Sequence, residues 1–202
     1  MKTEIIKSRN KKAIVFASAF LKKGGLVIYP TETCYGLGAD ATNLRAVRKI
    51  IRVKGRKSSK FIPIIISDMK MAERYIVLNN DIKKLMRKFM PCPLTLVAKK
   101  KNMPRILAKK IIGGFRIPSN KFALGLVKKF GKPVTATSAN ISNNKPIYEI
   151  KEIKRVFLGR VDLIIDAGSL PRKRPSTVFD VSGRKIIRKG RISKKDVLKI
   201  ID

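Results

Sequence analysis

Polar residues fit for chemistry gather in six short stretches: PTET (30–33), KGRKSSK (54–60), GGFRIPS (113–119), TATSANIS (135–142), RPST (174–177) and IIRKG (186–190). They supply hydroxyls, amides and fixed cations, and the chain contains no histidine. Ser-His-Asp and Cys-His nucleophilic schemes are thereby removed. With 13 acidic residues in 202, an all-protein oxygen cage for a metal is disfavoured. The remaining inventory suits holding carboxylates and phosphates. It also suits phosphoryl or nucleotidyl transfer, in which positioning and charge neutralisation supply most of the rate. Mg²⁺ would arrive carried by substrate phosphates.

The first stretch extends to PTETCYGLG (30–38) and reads as a glycine loop after the apolar run Leu26-Val27-Ile28-Tyr29. It lacks the lysine of GxxxxGK[ST] and the spacing of GxGxxG, so it has not the parts of either phosphate loop.

The elements that must position these clusters follow from hydrophobic periodicity. Apolar runs of strand length occur at 26–29, 61–66, 94–98, 115–117, 134–136, 163–165, 178–181 and 186–187. Helical patterns fall between them, at about 10–23, 43–53, 68–76, 80–89, 120–130, 148–157 and 194–201. Ser119, and Ser193 with Asp196 three residues on, are expected N-caps. The order predicts an α/β chain with a mixed sheet, in which loops at strand ends converge on one site. No linker or internal repeat divides the sequence, so a single domain over 1–202 is expected.

The 48 Lys+Arg against 13 Asp+Glu leave a formal charge of +35, so most basic side chains have no acid to pair with. Ion-pair networks would need acids in comparable number. A polyanionic partner, RNA, is the natural expectation. Cys34 and Cys92 belong to no CxxC or Cys/His cluster, which suits a reducing cytoplasm and packed rather than reactive thiols. The apolar piece from Ala13 to Leu21 is too short to span a bilayer. A soluble intracellular protein without membrane attachment is expected.

Seven fragments, in this order, carry a resemblance: Gly25 to Gly38 (GLVIYPTETCYGLG), Lys54-Gly55-Arg56, Pro91 to Leu96 (PCPLTL), Arg116-Ile117-Pro118, Ser138-Ala139-Asn140, Ser176-Thr177-Val178 and Arg188-Lys189-Gly190. Together the chain resembles the YrdC-like family, which includes threonylcarbamoyl-AMP synthases, in its short single-domain form. The resemblance implies a twisted open mixed β-sheet flanked by helices, with a basic concave face. It implies condensation of L-threonine, bicarbonate and ATP to threonylcarbamoyl-AMP and pyrophosphate, for threonylcarbamoyladenosine modification of tRNA at adenosine-37. A threonylcarbamoyl-transferase complex would take the product.

By the same resemblance Lys54, Arg56, Ser138 and Asn140 form the catalytic set, and Thr33, Arg116 and Ser176 bind L-threonine. Lys54, Arg56, Lys60, Ser138, Asn140 and Arg188 meet ATP. The Arg116 guanidinium is suited to fork a carboxylate through two parallel hydrogen bonds. Lys60 stands where relatives carry the asparagine of N-P-L, and Cys92 replaces the usual glycine of P-G-P-L-T. Glu32 is left outside the catalytic set. The rival reading is a non-catalytic RNA-binding member of the same fold, which would share the charge but have no use for a threonine pocket.

Overall fold

The computed structural model describes residues 2–55, 61–105 and 112–202. In chain order it begins β1 (Glu4–Lys7), α1 (Ala13–Lys22), β2 (Val27–Pro30), β3 (Tyr35–Gly38), α2 (Leu44–Lys54) and β4 (Ile64–Ile65). It continues α3 (Met69–Tyr75), α4 (Asn80–Phe89), β5 (Leu94–Lys99), β6 (Ile112–Arg116), α5 (Lys121–Phe130), β7 (Val134–Thr135) and β8 (Thr137–Ser138). Last come α6 (Ile150–Phe157), β9 (Leu163–Asp166), β10 (Thr177–Asp180), β11 (Lys185–Arg188) and α7 (Lys194–Ile201).

The α/β class is as expected, but the strands form two mixed sheets where the sequence pattern suggested one. The orders are β1-β9-β2-β3-β8 and β11-β10-β5-β6-β4-β7. Strands β2, β3 and β9 are buried along their whole length, so they carry near-continuous apolar runs rather than alternation, with Asp166 closing β9. Consecutive β7 and β8 belong to different sheets, and an isolated bridge between Asp40 and Val134 ties the two together. That division depends on pairing between distant segments, which local periodicity does not encode.

Each expected helix appears, with ends that coincide with the expected ones or differ by one to three residues. Asn43, Asp68, Asn79 and Asn120 accept hydrogen bonds from first-turn N–H groups of α2, α3, α4 and α5. The cap of α5 is therefore Asn120, not Ser119. Ser193 and Asp196 form the expected reciprocal capping box on α7. Among the described residues no helix is long and apolar enough to cross a membrane.

The stretch 35–38, read from its two glycines as loop, is strand β3, paired antiparallel with β2 from Val27↔Gly38 to Pro30↔Tyr35. Its glycines make room for Tyr29. A Cβ on Gly38 would fall 2.7 Å from Tyr29 Cε1, and one on Gly36 would lie 3.2 Å from Tyr29 Cζ. The buried Tyr29 ring ends in a hydroxyl that donates to the Thr135 carbonyl at 3.0 Å.

Candidate functional site

The turn that joins β2 to β3 is tied by one side chain. Thr31 Oγ1 donates to the Cys34 carbonyl at 2.7 Å and accepts from the N–H groups of Thr33 (3.2 Å) and Cys34 (3.3 Å). It also lies 3.1 Å from the Thr33 hydroxyl. This Asx-like organisation by a threonine holds Thr33 at the sheet end.

Strand β3 pairs on its other side with β8, Gly36 opposite Ser138. The turn bearing Thr33 and the Ser138-Ala139-Asn140 loop are therefore stitched together by the sheet itself. Beneath that loop lies Lys54, the last residue of α2, only 1% exposed. Its ammonium donates to the carbonyls of Ser138 (2.5 Å) and Asn140 (2.7 Å) and to Asn140 Oδ1 (3.2 Å). Ser138 Oγ donates to the same Oδ1 at 2.5 Å, while Asn140 Nδ2 donates to the carbonyls of Ile141 (2.9 Å) and Asn144 (2.6 Å). Both ends of this amide are thus committed, which fixes its orientation.

Opposite this arrangement, β6 ends in Arg116, whose side chain is 6% exposed and pairs with Glu32 through Nη1 and Oε1. The second Glu32 oxygen, Oε2, is buried without a hydrogen-bond partner among the described residues. Burial lowers the Arg116 pKa to about 10, with Tyr29 opposing and the charge of Arg188 adding to the fall, so the guanidinium is charged at neutral pH.

Ser176, just before β10, completes the ring. Its hydroxyl lies 3.0 Å from that of Thr95 on β5 and accepts from Arg188 Nη2 at 2.8 Å, while Arg188 Nε donates to the Ser176 carbonyl at 3.1 Å. Burial also lowers the pKa of Arg188.

Thr33, Arg116, Ser138, Ser176 and Arg188 line one cavity of about 340 Å³. A larger one, about 570 Å³, adjoins it across the shared residues Pro146 and Tyr148 and contains Asn140. Lys54 stands behind both through the loop it holds. Arg56 and Lys60 lie outside the described residues. Cys34 lines the smaller cavity, but burial raises its thiol pKa against the Thr33 hydrogen bond and the charges of Lys54 and Arg188. Cys92 is likewise pushed up by burial, to about 11. Both thiols stay protonated at neutral pH and act as packing groups.

Sequence reasoning gave no role to three residues of this constellation: Thr31, Thr95 and Glu32, the last named but left outside the catalytic set. The available signal for Glu32 was scarcity, since an acid within a site loop of so basic a chain invites the question of which cation it serves.

The Sua5/YciO/YrdC family model, described as "Telomere recombination", matches residues 19–190. Threonylcarbamoyl-AMP synthase of Thiobacillus denitrificans is 33% identical over 173 residues, covering 84% of this chain and 92% of its own. The Pyrococcus abyssi Sua5 structure complexed with L-threonine superposes with a TM-score of 0.90 at 30% identity. It matches 100% of this chain, which spans 61% of that longer one. Escherichia coli YciO superposes with a TM-score of 0.85 at 27% identity, covering 97% of this chain and 98% of its own.

Proposed function

The chain belongs to the Sua5/YciO/YrdC family, and on that footing we propose that it is an L-threonylcarbamoyladenylate synthase, a nucleotidyltransferase acting on L-threonine, bicarbonate and ATP. The observation that carries the reading is the buried Arg116 guanidinium, lining a cavity with the hydroxyls of Thr33 and Ser176. A fixed planar cation beside hydroxyls is a receptor for a small hydroxylated carboxylate. A purely RNA-binding module would have no use for it.

In this reading Arg116 forks the amino-acid carboxylate while Thr33 and Ser176 engage the rest of L-threonine. The amino group attacks the bicarbonate carbon and water leaves, giving a carbamate. A carbamate oxygen then attacks the α-phosphorus of ATP and displaces pyrophosphate. Neither step needs a protein nucleophile, in keeping with a site of hydroxyls, an amide and cations. Ser138, Asn140 and Arg188 face the nucleotide, whose remainder has room in the adjoining larger cavity. Arg56 and Lys60 are assigned to ATP with them. Lys54 contributes from beneath, holding Ser138 and Asn140 in place and adding its charge to theirs. The described residues include no group of three or more His, Cys, Asp or Glu suited to a metal. Mg²⁺ is accordingly proposed as part of the nucleotide substrate.

The product would pass to a threonylcarbamoyl-transferase complex for modification of tRNA, in the cytoplasm. The charge of +35 supports direct contact with tRNA or another RNA. Residues 1–202 are proposed to act as one domain. The deciding experiment incubates the purified protein with ATP, Mg²⁺, bicarbonate and labelled L-threonine, with formation of pyrophosphate and threonylcarbamoyl-AMP expected. Folded protein that makes no pyrophosphate in response to threonine and bicarbonate would overturn the reading.

A further inference from the structure

The smaller cavity is strongly cationic: Arg116, Lys173 and Arg188 line it, and among the described residues its lining includes no acid. A site of that character draws any anion, and the triphosphate substrate is the most highly charged anion present. Something must keep phosphates and plain carboxylates from occupying the place of the amino acid.

We propose that Glu32 does this, as a specificity-determining residue that sets the charge around Arg116 so that the site takes a zwitterion and disfavours simple anions. The inference rests on the reading above that Arg116 receives the amino-acid carboxylate. Glu32 is not among the cavity-lining residues, and it meets Arg116 through one oxygen on Nη1. A guanidinium carries five N–H donors, so one such bond leaves a donor edge for a ligand. The pairing also offsets the charge of Arg116, one of the three cations that would attract a polyanion. At 11% side-chain exposure the negative charge of Glu32 is weakly screened, and like charges brought near it cost several times what they would in water. An α-amino acid brings its own ammonium to offset that repulsion, whereas pyrophosphate or a hydroxy acid brings none. The Glu32 Oε2 atom, buried and without a hydrogen-bond partner among the described residues, leaves Arg116 as the neighbour that offsets this carboxylate. Selectivity would thus arise from a built-in penalty against the wrong ligand as well as attraction for the right one.

The test measures dissociation constants by calorimetry for three probes. These are L-threonine, the hydroxy acid in which its amino group is replaced by hydroxyl, and pyrophosphate. The native protein should prefer L-threonine to the hydroxy acid by tenfold or more, on the order expected for a charge-assisted contact; equal affinities overturn the proposal without any variant. E32Q, which keeps the shape and one acceptor, should lose most of that preference and bind pyrophosphate more tightly. E32D, which keeps the charge, should retain most of it. An unchanged preference in E32Q, or a loss in E32D as large as in E32Q, overturns the role of charge. R116A separates the two readings. If it leaves L-threonine affinity intact, the carboxylate assignment fails and this inference with it. If it abolishes that affinity while E32Q keeps the preference, only this inference fails.

Discussion

Lys54 Nζ donates to both oxygens of Asn140, the main-chain carbonyl at 2.7 Å and Oδ1 at 3.2 Å, so the Ser138-Ala139-Asn140 loop is wrapped around a buried ammonium. The helix that supplies Lys54 ends there: Gly55 turns with φ of +57°. That left-handed residue lets α2 stop beneath the loop rather than run past it. The lysine expected to face phosphates is therefore also the strut for two residues expected to do the same.

Replacing Lys54 with methionine keeps the stem but strips the donor from three loop oxygens. Charge-assisted hydrogen bonds of this kind are worth roughly 1.5–3 kcal/mol each when one partner is removed, with losses in one network not additive. A fall of at least about 1.5 kcal/mol in unfolding free energy is expected, with weakened ATP binding. Lys54→Arg should not rescue it, because a planar fork cannot meet the same three acceptors. Urea denaturation and nucleotide titration check both points; stability within error of the native chain would refute the strut.

Gly190 is required by close approach of backbones. A Cβ there would collide with the Thr177 nitrogen and the Pro175 oxygen, neither of which is the end of a flexible side chain. Gly190→Ala should push the segment after β11 away from Ser176 and so displace Arg188, which holds Ser176 by two hydrogen bonds. A cost of about 1–3 kcal/mol is expected for such overpacking, together with impaired ligand binding at the site. Gly55→Ala serves as contrast, for a Cβ there meets nothing within 4 Å among the described residues, and the strain is that of its φ. Thermal melts of the two variants, set beside their ligand affinities, separate the cases.

How much of this was legible in sequence depends on the range of the interaction concerned. The helices were, since α2 and α4 carry their apolar faces and their Asn caps locally. Strand β3 was not, because YGLG advertises a loop until the Tyr29 ring it must clear is known. Strand β1, EIIK, escaped notice because it is four residues long and mostly exposed; it is defined by its register with β9. Short motifs were enough to nominate candidates for the site, and five of these, Thr33, Arg116, Ser138, Ser176 and Arg188, line one cavity. Glu32 could not be given its role, because its meaning lies in Arg116, which is 84 residues away and brought to it only by the fold.

Asp166 provides a pH-dependent link between β9 and β1. Burial raises its pKa, but hydrogen bonds from Lys7 and the Gly168 N–H, with the charges of Lys7 and Lys154, outweigh this and hold it below its ordinary 3.8. A carboxyl whose folded pKa is depressed contributes stability above its unfolded pKa and loses it as pH falls through the folded value. Asp166→Asn should therefore cost about 1 kcal/mol at neutral pH, given that Lys7 is largely solvated. The difference between variant and native protein should close below pH 3.8. A gap that persists unchanged into acid would assign the effect to packing instead.

Arg116 should show the opposite pH behaviour, in ligand binding. Its folded pKa of about 10 lies below the ordinary 12.5, so carboxylate affinity should be flat through neutral pH and decline as pH rises through about 10. The hydroxy-acid analogue of threonine is the right probe, having no ammonium of its own to titrate. Arg116→Ala should weaken L-threonine binding by on the order of tenfold to a hundredfold while changing ATP affinity much less. Arg116→Lys should lose nearly as much as Ala, because a point charge does not reproduce two parallel N–H donors and would still have to satisfy Glu32. Equal losses for L-threonine and ATP would mean that Arg116 serves the fold of the cavity rather than the amino acid, and that the carboxylate is held elsewhere.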